Sequence, residues 1–189
     1  MVGNNIARVY ATALFDAARE KDIQEQLQEE LGFVVELFST NEDFRSYMTS
    51  PSFSKNVKKN FVEKVFSGNL SEYIVNFLFV LIENDRQSVL PGINTVFGDL
   101  MNELNGRMKV EVVSVSKLDS EILENIKHTL KNKFNKDIII DEKTDDGILG
   151  GVIIRAGDLV IDGSLFESLK KIRYNLLNSK VRSEAAYEN

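Results

Sequence analysis

The stretch DDGILGGVIIRAGDLVIDGSLFESL, residues 145–169, is rich in glycine and ends where a helical pattern begins. Glycine-rich loops that lead into helices often bind phosphate through free backbone N–H groups. The spacing argues against that chemistry here, because neither G-x-x-x-x-G-K-[ST] nor G-x-G-x-x-G is present. The glycines also lie before and inside a predicted strand, whereas a phosphate loop needs them between a strand end and a helix start. We therefore interpret the stretch as a structural hairpin.

Each part of this hairpin has a predicted backbone role. Ala156-Gly157-Asp158 predicts a tight turn in which Gly157 takes a positive φ. Gly150-Gly151, inside a predicted strand over 148–156, indicates a bulge or the close approach of another backbone at Gly151. Asp162-Gly163-Ser164 closes the last strand, and Ser164 begins an S-x-x-E capping box with Glu167.

Other residues that could do chemistry lack the necessary partners. The acidic run 141–147 fails as an EF-hand loop, since Ile153 would occupy the position of the bidentate Glu, and a solvated β-turn is expected instead. The chain has one histidine, His128, and no cysteine, so no metal cluster or cysteine nucleophile is predicted. The basic run KNVKK at 55–59 is expected to be a solvated helix face. We expect no catalytic residues and no cofactor.

Charge and hydropathy restrict the partners. A net charge of −6 argues against nucleic-acid binding, which usually requires a basic face. The longest apolar run, at 73–82, is about half of the roughly 20 residues that a membrane helix needs. No signal peptide is visible at the amino terminus. We expect a soluble, cytoplasmic chain with no direct membrane insertion.

The pattern of apolar residues divides the chain near Asn105-Gly106-Arg107. Before this point the spacing is helical, and it predicts a bundle of six helices at about 4–20, 22–38, 40–48, 54–66, 70–84 and 88–104. After it, strands are predicted at 108–115, 137–140, 148–156 and 159–162, with helices at about 119–133 and 165–178. The expected fold class is α+β: a six-helix domain over 1–105 and a small β-α-β-β-β-α domain over 106–189.

Two of the predicted helices are apolar over more of their circumference than a surface helix needs. Apolar residues cover roughly 240° of the first helix and nearly encircle the helix at 70–84. Both helices could be central and buried on all sides. Alternatively, part of their surface lines a groove for a partner helix, and the small side chains of Ala7 and Ala11 would leave room for it.

Three blocks, ARVYATALFDAA, NFLFVLIENDRQSVLPGI and GVIIRAGDLVIDGSLFESLKKI, resemble the delta subunit family of bacterial F-type ATP synthases. This family is the counterpart of the mitochondrial oligomycin-sensitivity-conferring protein. The blocks occur in the family's order and spacing over the whole chain. The resemblance implies a six-helix bundle followed by a smaller α/β domain, and it favours the groove over a wholly buried helix pair.

The resemblance also implies partners and a role. The groove between the first and fifth helices would receive an amino-terminal helix of an alpha subunit, and its expected lining is Ala7, Tyr10, Ala11, Leu14, Phe77, Leu78 and Leu81. The second domain would meet the carboxyl-terminal region of the b subunits. The implied role is that of a non-catalytic stator subunit, peripheral at the cytoplasmic face of the bacterial inner membrane, that couples proton-driven rotation to ATP synthesis. A free-standing helical adaptor or regulatory binding module is the alternative.

Overall fold

The computed structural model describes residues 2–157 and 159–184. The chain divides into two compact units, an N-terminal unit of residues 1–101 and a C-terminal unit of residues 102–189. Each unit has a hydrophobic cluster of its own.

The N-terminal unit is built from helices. They are α1 (Val2–Lys21), α2 (Gln24–Thr40), α3 (Glu42–Thr49), α4 (Lys55–Phe66), α5 (Glu72–Glu83) and α6 (Leu90–Leu104), with a 3₁₀ turn at Gln87–Val89. Polar residues begin three of these helices: the side chains of Asn41, Ser54 and Ser71 accept hydrogen bonds from the first turns of α3, α4 and α5. Glu30 of α2 accepts hydrogen bonds from the backbone N–H and hydroxyl of Ser71, which joins α2 to the start of α5.

The core of this unit draws on all six helices. Leu31, Val62, Leu81 and Phe97 are among its fully buried side chains. Aromatic pairs cross between helices, as where Phe15 of α1 meets Phe97 of α6 edge-on with ring centroids 5.5 Å apart.

The C-terminal unit contains a four-stranded sheet. Its elements are β1 (Arg107–Ser114), α7 (Ser120–Phe134), β2 (Asp137–Thr144), β3 (Val152–Ala156), β4 (Leu159–Asp162) and α8 (Leu165–Glu184). The strand order is β2-β1-β3-β4. The β1–β2 pair is parallel and is connected through α7, whereas β1–β3 and β3–β4 are antiparallel.

The two faces of this sheet differ in chemistry. Val110, Val112, Ile138 and Ala156 form the buried core together with Leu130 of α7. On the opposite face, Glu111 of β1 forms ion pairs with Lys143 of β2 and with Arg155 of β3, the latter at 2.9 Å. Lys109 pairs with Asp141 at 3.1 Å on that same face.

The structure confirms the predicted α+β fold and the β-α-β-β-β-α order, but several boundaries differ. β2 continues to Thr144, so the first half of the acidic run is strand, and only Asp145-Asp146-Gly147 turns. β3 begins at Val152 and not at 148, because Gly150 and Gly151 adopt φ values of 147° and 86° that a strand does not allow. Of the two interpretations of Gly150-Gly151, a bulge or a close backbone approach, the bulge inside the strand was therefore wrong.

Candidate partner-binding surfaces

The residues expected to line the groove are core residues in this structure. Six of the seven are buried, Leu14 with 5% and Leu78 with 1% of its surface exposed. Tyr10 is half-buried, and its ring meets Phe77 edge-on at a centroid distance of 6.4 Å. The buried members are Ala7, Ala11, Leu14, Phe77, Leu78 and Leu81.

The small residues of α1 make room for a helix of the same chain. A Cβ on Gly92 of α6 would lie only 3.2 Å from the Cβ of Ala7, so α6 already occupies the space that Ala7 leaves. The sequence pattern left open whether Ala7 faces a helix of its own bundle or a partner helix, because the pattern is the same in both cases. The resemblance favoured a partner helix, and the neighbour that the structure shows at Ala7 is α6.

The exposed apolar surface of α1 lies beside these core residues. Val9 is 69% exposed, and Ala13, one helical turn further on, is also exposed. Together with polar neighbours they form a shallow groove along α1. Its lining residues are Asn5, Arg8, Val9, Thr12, Ala13 and Asp16.

The exposed stripe of α5 is also partly apolar. Tyr73 and Val80 are exposed on it, Val80 at 47%, and Asn76 lies between them at helical spacing. The Tyr10–Phe77 contact places α1 and α5 next to each other. We call Val9, Ala13, Tyr73 and Val80 the α1–α5 surface.

Val80 could have been found from the sequence. Asn76, Val80 and Glu83 follow one another at four- and three-residue spacing, so the polar stripe of α5 carries a valine. Val9 and Ala13 were harder to separate from the core, because both lie within the apolar arc of roughly 240° that the sequence predicts for α1.

Two lysines of the basic run at the start of α4 form ion pairs with acidic side chains. Lys55 pairs with Asp85 at 2.8 Å, and Lys59 pairs with Glu83. Hydrogen bonds from these lysines lower the pKa of both carboxyls. Lys58 is buried, so the prediction of a wholly solvated face was wrong at this residue.

The predicted hairpin residues lie at the entry to α8. Gly157 follows β3 with a φ of 60°, whereas Asp158 lies outside the described residues. Gly163 donates its backbone N–H to the carbonyl of Val152 at 3.0 Å. Gly151 faces this segment so closely that a Cβ would lie 2.9 Å from Ser164 Cα. Backbone approach, not a bulge, explains this glycine.

The cap of α8 differs from the predicted capping box. The hydroxyl of Ser164 accepts a hydrogen bond from the N–H of Glu167 at 3.3 Å, as the box requires. The N–H of Ser164, however, donates to Asp162 Oδ1 at 2.8 Å, while the Glu167 carboxylate pairs with Lys170. Hydrogen bonds from the side chain and backbone of Ser164 lower the pKa of Asp162. Asp162 therefore takes the role that the sequence assigned to Glu167.

No cluster of three or more His, Cys, Asp or Glu residues suited to a metal ion occurs within the residues that the structure describes. In that same part of the chain, no helix is long and apolar enough to cross a membrane.

The family model for the ATP synthase delta (OSCP) subunit matches residues 6–176 of the chain. This match decides the family. The chain belongs to the ATP synthase delta (OSCP) subunit family. Because the match runs through both units, the alternative of a free-standing adaptor is not favoured.

Curated relatives agree with this assignment. The chain is 37% identical over 176 residues to the ATP synthase subunit delta of Bacillus cytotoxicus, covering 93% of this chain and 97% of the relative. It is 31% identical over 180 residues to the ATP synthase subunit delta of Symbiobacterium thermophilum, covering 95% and 97%.

A solved structure shares the fold. A chain of the mitochondrial ATP synthase hexamer of Toxoplasma gondii superposes with a TM-score of 0.65 at 22% identity, covering 90% of this chain and 97% of that one. The two chains thus share a fold over 90% of this chain.

Proposed function

We propose that this delta-family chain is the stator joint of an F-type ATP synthase. In this proposal the N-terminal unit binds the amino-terminal helix of an alpha subunit, and the C-terminal unit binds the carboxyl-terminal region of the b subunits. The two attachments hold the catalytic head against the rotor, so that proton-driven rotation is converted into ATP synthesis. Family membership supports the assembly of this chain into an ATP synthase. The exposed α1–α5 surface supports the contact with the alpha-subunit helix.

The single observation that carries the alpha-subunit contact is the exposure of Val9 and Val80 on two adjacent helices. The inward faces of α1 and α5 are already filled by the bundle core, so these valines have no further role inside it. An amphipathic helix laid along α1 would remove this apolar area from water, which is the main driving force in helix-in-groove recognition.

The buried residues first expected in the groove keep a supporting role in this proposal. Leu14 and Leu78 pack beneath the α1–α5 surface and fix the positions of α1 and α5. Tyr10 lies at the edge of that surface. A rigid support lowers the entropic cost of binding because fewer groups have to be ordered.

The role we propose is mechanical. We infer that the chain is non-catalytic and is held at the cytoplasmic face of the bacterial inner membrane through its partners. A purified chain should show no ATP hydrolysis of its own, while membranes depleted of it should lose coupling between proton flow and ATP synthesis.

The test is a pull-down from detergent-solubilised membranes with the tagged full-length chain. The alpha and b subunits should be recovered together with the rest of the catalytic head. Depleted membranes should regain ATP-driven proton pumping when the chain is added back. Recovery of neither subunit, with coupling unchanged by depletion, would contradict the proposal.

A further inference from the structure

A cleft, which we call the α4–α5 cleft, lies between the fourth and fifth helices of the N-terminal unit. The two helices pack against each other, and the short connection between them contributes to the wall of the cleft. The α4–α5 cleft has a volume of about 320 Å³, at the lower end of the roughly 300–1,000 Å³ that small-molecule pockets occupy. It therefore suits one long side chain better than a whole organic ligand.

The floor of the α4–α5 cleft is apolar. Val75 and Phe79 of α5 line it, Val75 buried and Phe79 half-buried. The ring of Phe79 already has one cation beside it, since Lys59 Nζ lies 5.7 Å from the ring centroid. The charge of Lys59 is paired with Glu83, so this lysine is not an ion-pair partner of the carboxylates that line the cleft.

Four polar side chains line the α4–α5 cleft above this floor, and all four are exposed to solvent. Within the part of the chain that the structure describes, these side chains have no hydrogen-bond partner, and neither of the two carboxylates among them forms an ion pair. They are Glu63 of α4, Ser67 of the connection, and Glu72 and Asn76 of α5.

This set of groups favours a cation that donates hydrogen bonds. An ionised carboxylate only accepts hydrogen bonds, and the hydroxyl of Ser67 and the amide of Asn76 can accept them as well. A lysine ammonium or an arginine guanidinium only donates hydrogen bonds and carries the opposite charge. Both side chains also have an aliphatic stem that packs on apolar surface, as the floor of the α4–α5 cleft requires.

Asn76 shows that the α4–α5 cleft lies beside the α1–α5 surface. It lines the cleft, and it also lies between Tyr73 and Val80 on the exposed stripe of α5. At 100° per residue, the cleft residues of α5 occupy an arc of about 100° that ends at Asn76, and Val80 and Tyr73 follow within about 60° of it. Phe77, which contacts Tyr10 of α1, comes next around the helix. The cleft and the α1–α5 surface are therefore adjacent faces of one helix.

We propose that the α4–α5 cleft binds the side chain of one lysine or arginine, carried on the flank of the partner helix that covers the α1–α5 surface. Its charged group lies between the carboxylates of Glu63 and Glu72, and its stem packs on Val75 and Phe79. The inference rests on the proposed function, which supplies the amino-terminal helix of an alpha subunit as that partner. The cleft thereby selects, among helices with an apolar face, those that carry a basic residue on one flank.

The experiment is a calorimetric titration of a synthetic peptide, the amino-terminal helix of the alpha subunit from the same organism, into the full chain. The cleft variant, Glu63→Gln/Glu72→Gln, keeps the side-chain shapes and removes both charges, and it should bind the peptide about tenfold more weakly. The matched control is Glu29→Gln/Glu36→Gln, which removes two exposed carboxylates of α2 that line neither the cleft nor the α1–α5 surface. The control should bind within about twofold of wild type.

A second arm leaves the chain unchanged and alters the peptide, so its result does not depend on the stability of a variant. Each lysine or arginine of the peptide is replaced by Gln in turn. One replacement should weaken binding to wild type about tenfold but have little further effect on binding to the cleft variant, because one interaction has then lost both partners. Binding to wild type should also fall more steeply with salt than binding to the cleft variant.

The outcomes separate the α4–α5 cleft from the attachment itself. If the peptide binds wild type and the cleft variant alike, the cleft is not a site, although the alpha-subunit attachment stands. Equal weakening by the cleft variant and the control would assign the effect to overall charge, and it would overturn the cleft in the same way. The cleft is also overturned if no basic residue of the peptide couples to it. If the peptide does not bind wild type at all, the alpha-subunit attachment falls, and this inference falls with it.

Discussion

Gly151 lies directly against the carbonyl oxygen of Gly163, so that a Cβ at residue 151 would overlap that oxygen. Gly151 also has a φ of 86°, a value that other residues avoid. The two glycines thereby join the start of β3 to the entry of α8. This backbone contact explains why residue 151 is a glycine although it is exposed to solvent.

Replacing Gly151 with Ala should destabilise the C-terminal unit by roughly 3 kcal/mol or more, since backbone strain and steric overlap act together. The control is Gly106→Ala, where φ is 64° but, apart from the adjoining residues of the chain, no described atom lies within 4 Å of the added Cβ. Strain alone should cost about 1 kcal/mol there. Urea unfolding of both variants makes the comparison, and equal losses would show that the Gly163 contact is unimportant.

Leu78→Asp should unfold the N-terminal unit and not merely weaken partner binding. The side chain is 1% exposed, and a carboxylate there has no partner in the surrounding apolar core. We expect a loss of about 4 kcal/mol or more, against less than about 1.5 kcal/mol for the volume-conserving Leu78→Met. Thermal melting followed by circular dichroism is the measurement. A Leu78→Asp variant as stable as wild type would place this residue at a surface after all.

Glu111 should make the stability of the C-terminal unit depend on pH. A hydrogen bond from Lys143 and, more weakly, one from Arg155 hold the pKa of Glu111 below its ordinary value of 4.5. The unfolded chain therefore binds a proton at this carboxyl more readily than the folded chain does. The stability that ionised Glu111 contributes to the folded state is present above about pH 4.5 and is lost as the pH falls through the lower folded pKa. The stability difference between wild type and Glu111→Gln should shrink between about pH 6 and pH 3. A stability difference that does not change with pH would show that the ion pairs of Glu111 do not make the stability of this unit depend on pH.

A fragment of residues 1–105 should fold by itself. It contains every helix from α1 to the end of α6 at Leu104, and the core cluster of the N-terminal unit lies entirely within it. Circular dichroism should show a helical spectrum and one cooperative melt. A disordered fragment would mean that the helical part depends on the rest of the chain.

The sequence predicted the order of elements because the apolar spacing changes from helical to strand-like near Gly106. It did not predict where β3 begins, since the positive φ of Gly150 and Gly151 depends on their contact with the α8 entry. Local pattern carries no information about that long-range contact.

The candidate site was harder to predict than the fold. Ala7 and Val9 are both apolar residues of α1, yet one faces Gly92 of α6 and the other faces solvent. A helix that is apolar over most of its circumference gives no indication of which part is covered by its own chain. The tertiary structure is needed to separate them.

We expect the α1–α5 surface to bind the alpha-subunit helix. The direct measurement is titration of a synthetic alpha amino-terminal peptide into the full chain. A stator joint should bind with a Kd on the order of nanomolar, or about −12 kcal/mol. The matched control is Val57 on α4, which is 46% exposed against 47% for Val80. A control on α1 such as Thr12 is unsuitable, because Thr12 lines the α1 groove.

Val9→Asp and Val80→Asp place a carboxylate in the contact and should each weaken peptide binding about a hundredfold, or about 2.7 kcal/mol. Val57→Asp should leave the Kd within about twofold of wild type, a difference of roughly 0.4 kcal/mol. Each variant is first shown to melt like wild type. Nanomolar binding that both valine substitutions leave unchanged, in folded protein, would contradict the account.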